Sequence, residues 1–244
     1  MNRPHICTPP AIRRFAPAMA ALGILTGLAL TPSHAVVFEF TATVNYLFGD
    51  VSLLPPGITL DTPLNGSLQF DPARASLDGN PGNPKAGTFY FMASDDSAFR
   101  LALDLGGNTL ASVPTPSAPF NLVTAIDDNP YDAVQYYTPN LRYNGGAFPN
   151  GITTADLRLQ FQDNSGTVLA DDSLPTLVPL LSLFPDTAIL AFYGANALGD
   201  SVEFQAQITS LTAVPEPAAW TAIAASLLAA FALARYRRPP PPAS

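Results

Sequence analysis

Three pairs of adjacent aspartates, Asp95-Asp96, Asp127-Asp128 and Asp171-Asp172, are the side chains best suited to hold a hard cation. Ca²⁺ takes about six to eight oxygen ligands, often from loops. Asp127, Asp128 and Asp132 fall within six residues and are the Ca²⁺ candidates. Turn chemistry explains the same aspartates equally well, and no Asp-x-Asp-x-Asp-Gly loop is present. Tyr136, Tyr137 and Tyr143 follow closely, with Tyr131 and Asn140 among them. Such a cluster can give an aromatic floor and polar hooks for sugar rings, although tyrosines on strands are also ordinary sheet residues. Carboxylate pairs can cleave a glycosidic bond only when held at a set separation, which spacing in sequence does not fix. Both histidines, His5 and His34, and the single cysteine, Cys7, lie in the first 35 residues. The rest of the chain therefore has no Ser-His-Asp or Cys-His catalysis, no histidine- or thiolate-bound metal and no disulfide. The expected protein is not an enzyme, and its one cofactor candidate is Ca²⁺.

The first 35 residues explain where the histidines and the cysteine went. Met1–Pro17 carries Arg3, Arg13 and Arg14 and no acid, Ala18–Leu30 is apolar apart from Thr26, and Thr31-Pro32-Ser33-His34-Ala35 presents small residues at Ser33 and Ala35. Basic, apolar and small-residue regions in that order predict a secretory signal peptide over residues 1–35, cut after Ala35 by signal peptidase. Arg13-Arg14 alone does not make a twin-arginine signal, so the Sec route is expected.

The other end carries a second short apolar run. Residues 218–234 contain no charge, no Gly and no Pro, and only Thr221 and Ser226 interrupt the apolar surface. At 1.5 Å per residue a helix there is about 25 Å long, just enough to cross a hydrocarbon core. Trp220 and Tyr236 flank it as interfacial rings, and Arg235, Arg237 and Arg238 lie only on the C-terminal side, which keeps that side in the cytoplasm. Ahead of the run stands Val214-Pro215-Glu216-Pro217. Its two prolines hold the chain extended and remove two amide donors, so the segment must be an exposed stretch open to a processing enzyme.

Pro-Glu-Pro, a short apolar helix and an arginine-rich end, in that order over residues 214–238, resemble the PEP-CTERM sorting signal of Gram-negative bacteria. The resemblance implies export, a precursor anchored in the inner membrane by the C-terminal helix, and recognition and cutting by the membrane transpeptidase exosortase. It further implies delivery to the cell surface or to the exopolysaccharide matrix. The chain departs from the pattern in its last six residues, Pro239–Pro242, Ala243 and Ser244, a stiff proline-rich cytoplasmic tail that leaves every part of the signal intact.

Between the two signals lie 178 residues, 36–213, enough for one domain with one core. This body has five bases against 18 acids, a net charge of −13. Sixteen of those acids are Asp, which suits turns better than helices. So acidic a surface does not bind nucleic acid. Apolar and polar residues alternate along residues 37–46, with Phe38, Phe40, Ala42, Val44 and Tyr46 on one face. They alternate again along 99–105, 156–162 and 202–209. A period of two predicts half-buried strands. Shorter strands are expected at 66–70, 88–92, 109–113, 120–126, 131–138, 167–170 and 188–193, separated by Pro-, Gly- and Asp-rich turns. Pro175, Pro179 and Pro185 forbid a regular helix over 174–185, which is expected to lie across an open end as a lid or crossover. The predicted fold is all-β, an antiparallel β-sandwich of jelly-roll form, flanked by the signal-peptide helix and the C-terminal transmembrane helix. The predicted role is a structural or adhesive surface component; the alternative is a carbohydrate-binding module for exopolysaccharide.

Overall fold

A computed structural model describes residues 35–76, 78–79, 81–83, 85–92, 97–105, 107–113, 120–127, 131–139, 141–214, 226 and 228–231. Ser33, Pro215, Glu216, Pro217, Arg235, Arg237 and Arg238 lie outside them, as does most of the predicted span 218–234. Within that span Ser226 and 228–231 are helical, with Leu228 and Phe231 exposed. Among the described residues no helix is long and apolar enough to cross a membrane.

The body is all-β and antiparallel. Among the described residues it has β1 (Val36–Gly49), β2 (Pro63–Phe70), β3 (Ala86–Phe91), β4 (Phe99–Asp104), β5 (Thr109–Ser112) and β6 (Asn121–Ile126). The chain continues with β7 (Asp132–Thr138), β8 (Leu141–Tyr143), β9 (Ile152–Asp163), β10 (Thr187–Asn196) and β11 (Ser201–Ala213). All eleven belong to one sheet in the order β3-β6-β7-β9-β10-β11-β1-β2-β4-β5-β8, where two sheets were expected. Ring contacts show how one sheet makes a core. Phe38 on β1 lies 6.0 Å from Tyr136 on β7, four strands away in that order, and Phe91 on β3 lies 5.6 Å from Phe99 on β4. At about 4.8 Å per strand a flat sheet would hold the first pair about 19 Å apart. The sheet therefore curls until its two wings face each other, and the joint core of Phe38, Phe40, Phe70, Tyr136, Phe161 and Phe204 is fully buried.

The curl passes through the long strands β1 and β11. Their pairing shifts register between Thr41 and Ala42 and again between Val44 and Tyr46. Bulges of this kind bend a strand and sharpen its twist. They also change which residues face inward. Phe38, Phe40, Ala42 and Val44 are buried as the alternation predicts, but Tyr46, expected on the same face, is 44% exposed and Leu47 packs on the core instead. Elsewhere the alternation holds: Leu157, Leu159 and Phe161 on β9 and Val202, Phe204, Ala206 and Ile208 on β11 are buried. Gly66 on β2 faces the Phe40 ring, where a Cβ would stand 2.2 Å from Phe40 Cζ, so the close approach of β1 and β2 there requires glycine.

Both edges are managed. Along β3 the loop before it takes the free side: Ser76 N donates to Tyr90 O at 2.9 Å, Gly79 N to Thr88 O at 2.7 Å, and Thr88 N to Asp78 Oδ1 at 2.8 Å. The other edge, β8, is only three residues long, too short to template another chain. Residues 167–170, expected as a strand, form none. The reason is local: Val168 N and Leu169 N donate to Asp132 Oδ2 at 2.5 and 2.7 Å and so have no strand partner. The proline-rich 174–185 joins neighbouring strands β9 and β10, so it crosses no sheet. It folds over one end of the core, with Phe184 buried 5.9 Å from Phe161 and Leu174, Val178 and Leu181 packed on the core.

Candidate functional site on the outer sheet face

The register of five strands brings one set of outward side chains into rows. Gln205, Ala191, Arg158, Tyr137 and Leu122 follow one another across β11, β10, β9, β7 and β6. Beside that row Tyr193 pairs with both Glu203 and Asp156. Ala191 is the small residue in the middle, and over it opens a shallow depression of about 460 Å³ lined by Tyr137, Asp156, Arg158, Tyr193, Glu203 and Gln135. Tyr193 is 42% exposed, so its ring is free to take a partner.

Charge is concentrated here. Burial pushes the Asp156 carboxyl up; Arg158 opposes that rise and the nearby Glu203 carboxylate adds to it. Burial likewise raises the Tyr137 phenol, Asp156 adds to the rise and Arg158 works against it. Arg158 lines the depression, while its Nε is buried beneath the surface with no hydrogen-bond partner among the described residues. Gln205 Nε2 donates to Glu203 Oε1 at 2.8 Å and fixes that carboxylate. The set combines flat rings, two carboxylates, a guanidinium and amides, and it can stack an apolar ring face while bonding its hydroxyls.

The pKa shift of Asp156 carries a sign. A carboxyl raised in the folded state binds its proton more readily there than in the unfolded chain, so stability rises as pH falls through the folded pKa. Ionised Asp156 is therefore unfavourable at neutral pH. Asp156→Asn is expected to raise the melting temperature at pH 7. It is also expected to flatten the difference between that pH and about pH 4, near the ordinary carboxylate value. Melting curves of both proteins over this range check it, and identical pH profiles would contradict it.

The sequence-predicted site residues do not assemble as expected. Tyr136 and Tyr137 are neighbours on a strand and point to opposite faces. Tyr136 is fully buried between Phe38, Phe70 and Phe161, its phenol pushed well above the ordinary value by burial, and it cannot form a sugar floor. Tyr143 sits on edge strand β8, half-buried with its ring 6.5 Å from Phe148, apart from Tyr137 in the sheet order. Only Tyr137 joins the depression.

Of the Ca²⁺ candidates, Asp127 and Asp132 lie next to the last pair of the β6–β7 ladder, Ile126 with Ala133, and so stand across the hairpin from each other. Asp132 is fully buried and accepts from two backbone amides, those of Val168 and Leu169. Asp127 is half-buried at the end of β6, where its N–H donates to Lys85 O, and Asp128 lies outside the described residues. Asp171 accepts from Ser173 N and Ser173 Oγ, a turn cap. Among the described residues no three His, Cys, Asp or Glu side chains converge on one point. A second depression of about 450 Å³ on the other wing is lined by Glu39, Phe40, Thr41, Asn65 and Ser67, and its one lining ring, Phe40, is buried. There Thr41 Oγ1 already bonds Thr209 Oγ1 and Ser210 Oγ, each at 2.7 Å.

Against known proteins, no family model, no curated protein and no solved structure matches the chain.

Proposed function

We propose that the chain is an exported surface or extracellular-matrix component with a structural or adhesive, non-catalytic body. In this reading Val214-Pro215-Glu216-Pro217, the apolar run 218–234 and Arg235, Arg237 and Arg238 form a PEP-CTERM-type sorting signal cut by exosortase. Signal peptidase has already cut after Ala35, and the product passes from the inner membrane of a Gram-negative bacterium to its surface or matrix. The observation that supports this best is where the sheet starts and stops. β1 begins at Val36 and β11 ends at Ala213, so the folded body fills the interval between the two expected cuts. Both expected cuts then lie outside the limits of β1 and β11. The exposed Leu228 and Phe231 on a helical segment agree with an anchor that needs lipid around it.

The test is a variant carrying Pro215→Ala, Glu216→Ala and Pro217→Ala. Expected is a precursor that stays in the inner membrane and a loss of at least tenfold in the cut, released form. An unchanged mature mass and location would contradict the reading.

The outer-face depression favours a second reading, in which the body also binds the matrix polysaccharide. Tyr137, Tyr193 and Arg158 supply the contacts, with Asp156 and Glu203 accepting sugar hydroxyls. Stacking on one ring contributes about 1 kcal/mol, so Tyr137→Ala or Tyr193→Ala is expected to weaken binding about five- to tenfold. Tyr143→Ala should leave it unchanged. Affinity electrophoresis in gels containing the cells' own polysaccharide measures this, and equal retardation of all three variants would remove the reading.

A further inference from the structure

The two ends of the body meet at one pole. Val214 N donates to Val37 O at 3.0 Å, so the chain leaves for its anchor beside the point where it entered. The same pole carries the proline-rich 174–185 segment, which shares a depression of about 540 Å³ with Ala35, Val36, Leu211 and Val214. From Leu174 to Pro185 there is no charge, in a body of net charge −13. Yet this uncharged stretch leaves Leu177 78%, Leu180 62% and Leu183 46% exposed. Pro175 and Pro179 keep it from folding into a helix that would turn those leucines inward. Three leucines held outward around the exit point are an apolar surface that water alone does not explain.

The length of the connecting chain says what covers it. Four chain steps, across Pro215, Glu216 and Pro217, lead from Val214 to Ala218, where the apolar run begins. With two prolines in extended form they reach about 12–14 Å. The headgroup layer takes about 5–7 Å of that on each side of the hydrocarbon core. A body tethered so closely cannot turn this pole away from the bilayer, and apolar side chains there gain by entering the interface.

We infer that the 174–185 segment is a membrane-facing foot: in the anchored precursor Leu177, Leu180 and Leu183 lie in the headgroup region of the bilayer and hold the body upright over its anchor. The inference rests on the reading of residues 218–234 as a membrane span. Its occupant is lipid rather than a protein partner, because the anchor brings the bilayer to this pole whatever else is present. Cutting at Pro-Glu-Pro removes the tether and leaves the foot on an acidic body with no basic residue in the segment to hold it to a membrane, so the product lets go.

The precursor from Val36 to Ser244, the form left after the expected signal-peptide cut, contains no cysteine, so single labels can be placed at will. Leu177→Cys and, as a control, Leu198→Cys carry an environment-sensitive fluorophore. Leu198 is 88% exposed in the turn before β11, at the end of that strand remote from Val214. Along 13 residues β11 separates the two ends by about 40 Å. The labelled proteins are reconstituted into phosphatidylcholine vesicles with and without nitroxide-headgroup lipid, and flotation is measured on the same samples. Expected is co-flotation with at least twofold quenching of the label at 177 and none at 198. Co-flotation with equal, weak quenching at both positions would overturn the foot and leave the anchor standing. Failure to float would overturn the anchor and the foot with it.

Discussion

Tyr136→Ala is expected to lower folding stability by about 3–5 kcal/mol, while Tyr136→Phe leaves it unchanged or raises it by about 1 kcal/mol. The alanine opens a cavity where three rings meet: Phe38 at 6.0 Å, Phe70 at 5.4 Å and Phe161 at 6.4 Å. Two of these partners belong to the opposite wing, so the loss falls on the contact that keeps the sheet curled. The phenylalanine variant removes only the hydroxyl, which is buried without a hydrogen-bond partner among the described residues. Taking such a group out of water costs free energy that nothing here returns. Urea denaturation of the protein checks both variants. If Tyr136 served a sugar instead, alanine would abolish polysaccharide binding at unchanged stability, which is the contrary result.

Asp132→Ala is expected to cost about 3 kcal/mol, with Asp132→Asn costing less because one carbonyl oxygen remains to accept. Asp132 stands at the start of β7, fully buried, opposite Asp163 on β9. Its Oδ2 is the acceptor for Val168 N and Leu169 N. Asp163 works beside it, taking Ser165 N at 3.2 Å and Thr167 N at 3.4 Å. Removing Asp132 leaves two half-buried amide donors without their acceptor and frees the loop that leads into the 174–185 segment. Hydrogen exchange at Val168 and Leu169 should accelerate far more than at β1 and β11 in the alanine variant. Uniform acceleration throughout would mean that the carboxyl does not hold this loop. Chelators should change neither stability nor exchange there, since Asp132 bonds to amides in the role first expected of Ca²⁺.

These two residues also show what a sequence can disclose about this fold. The strands were legible because burial on one face leaves alternation, and Leu157, Leu159, Phe161 and Val202, Phe204, Ala206, Ile208 keep that period without interruption. Alternation also implies that Tyr136 and Tyr137 face opposite ways, a point hidden by treating nearby tyrosines as one cluster. The single curled sheet was not legible. Two sheets and one folded sheet have the same alternating strands, and the difference lies in the pairing of β10 with β11 and in the two bulges of the β1–β11 pairing. The bulge between Val44 and Tyr46 left no mark in residue type, and it alone turns Tyr46 outward. The outer-face depression shares this character. Asp156, Arg158, Tyr193 and Glu203 are ordinary outward residues on three strands until register places them side by side. Asp132 differs again: a carboxyl capping backbone amides and one awaiting a cation look alike until the amides are located.

The central claim is that both apolar ends are transport signals and that the sheet between them is the product. Intact-mass and terminal-peptide mass spectrometry of the protein from its own cells and their extracellular fraction tests it most directly. The account predicts a surface or matrix form beginning at Val36 and ending close to the Pro215-Glu216-Pro217 motif, with the apolar run 218–234 gone. A full-length chain from Met1 to Ser244, recovered from the cytosol, would contradict it.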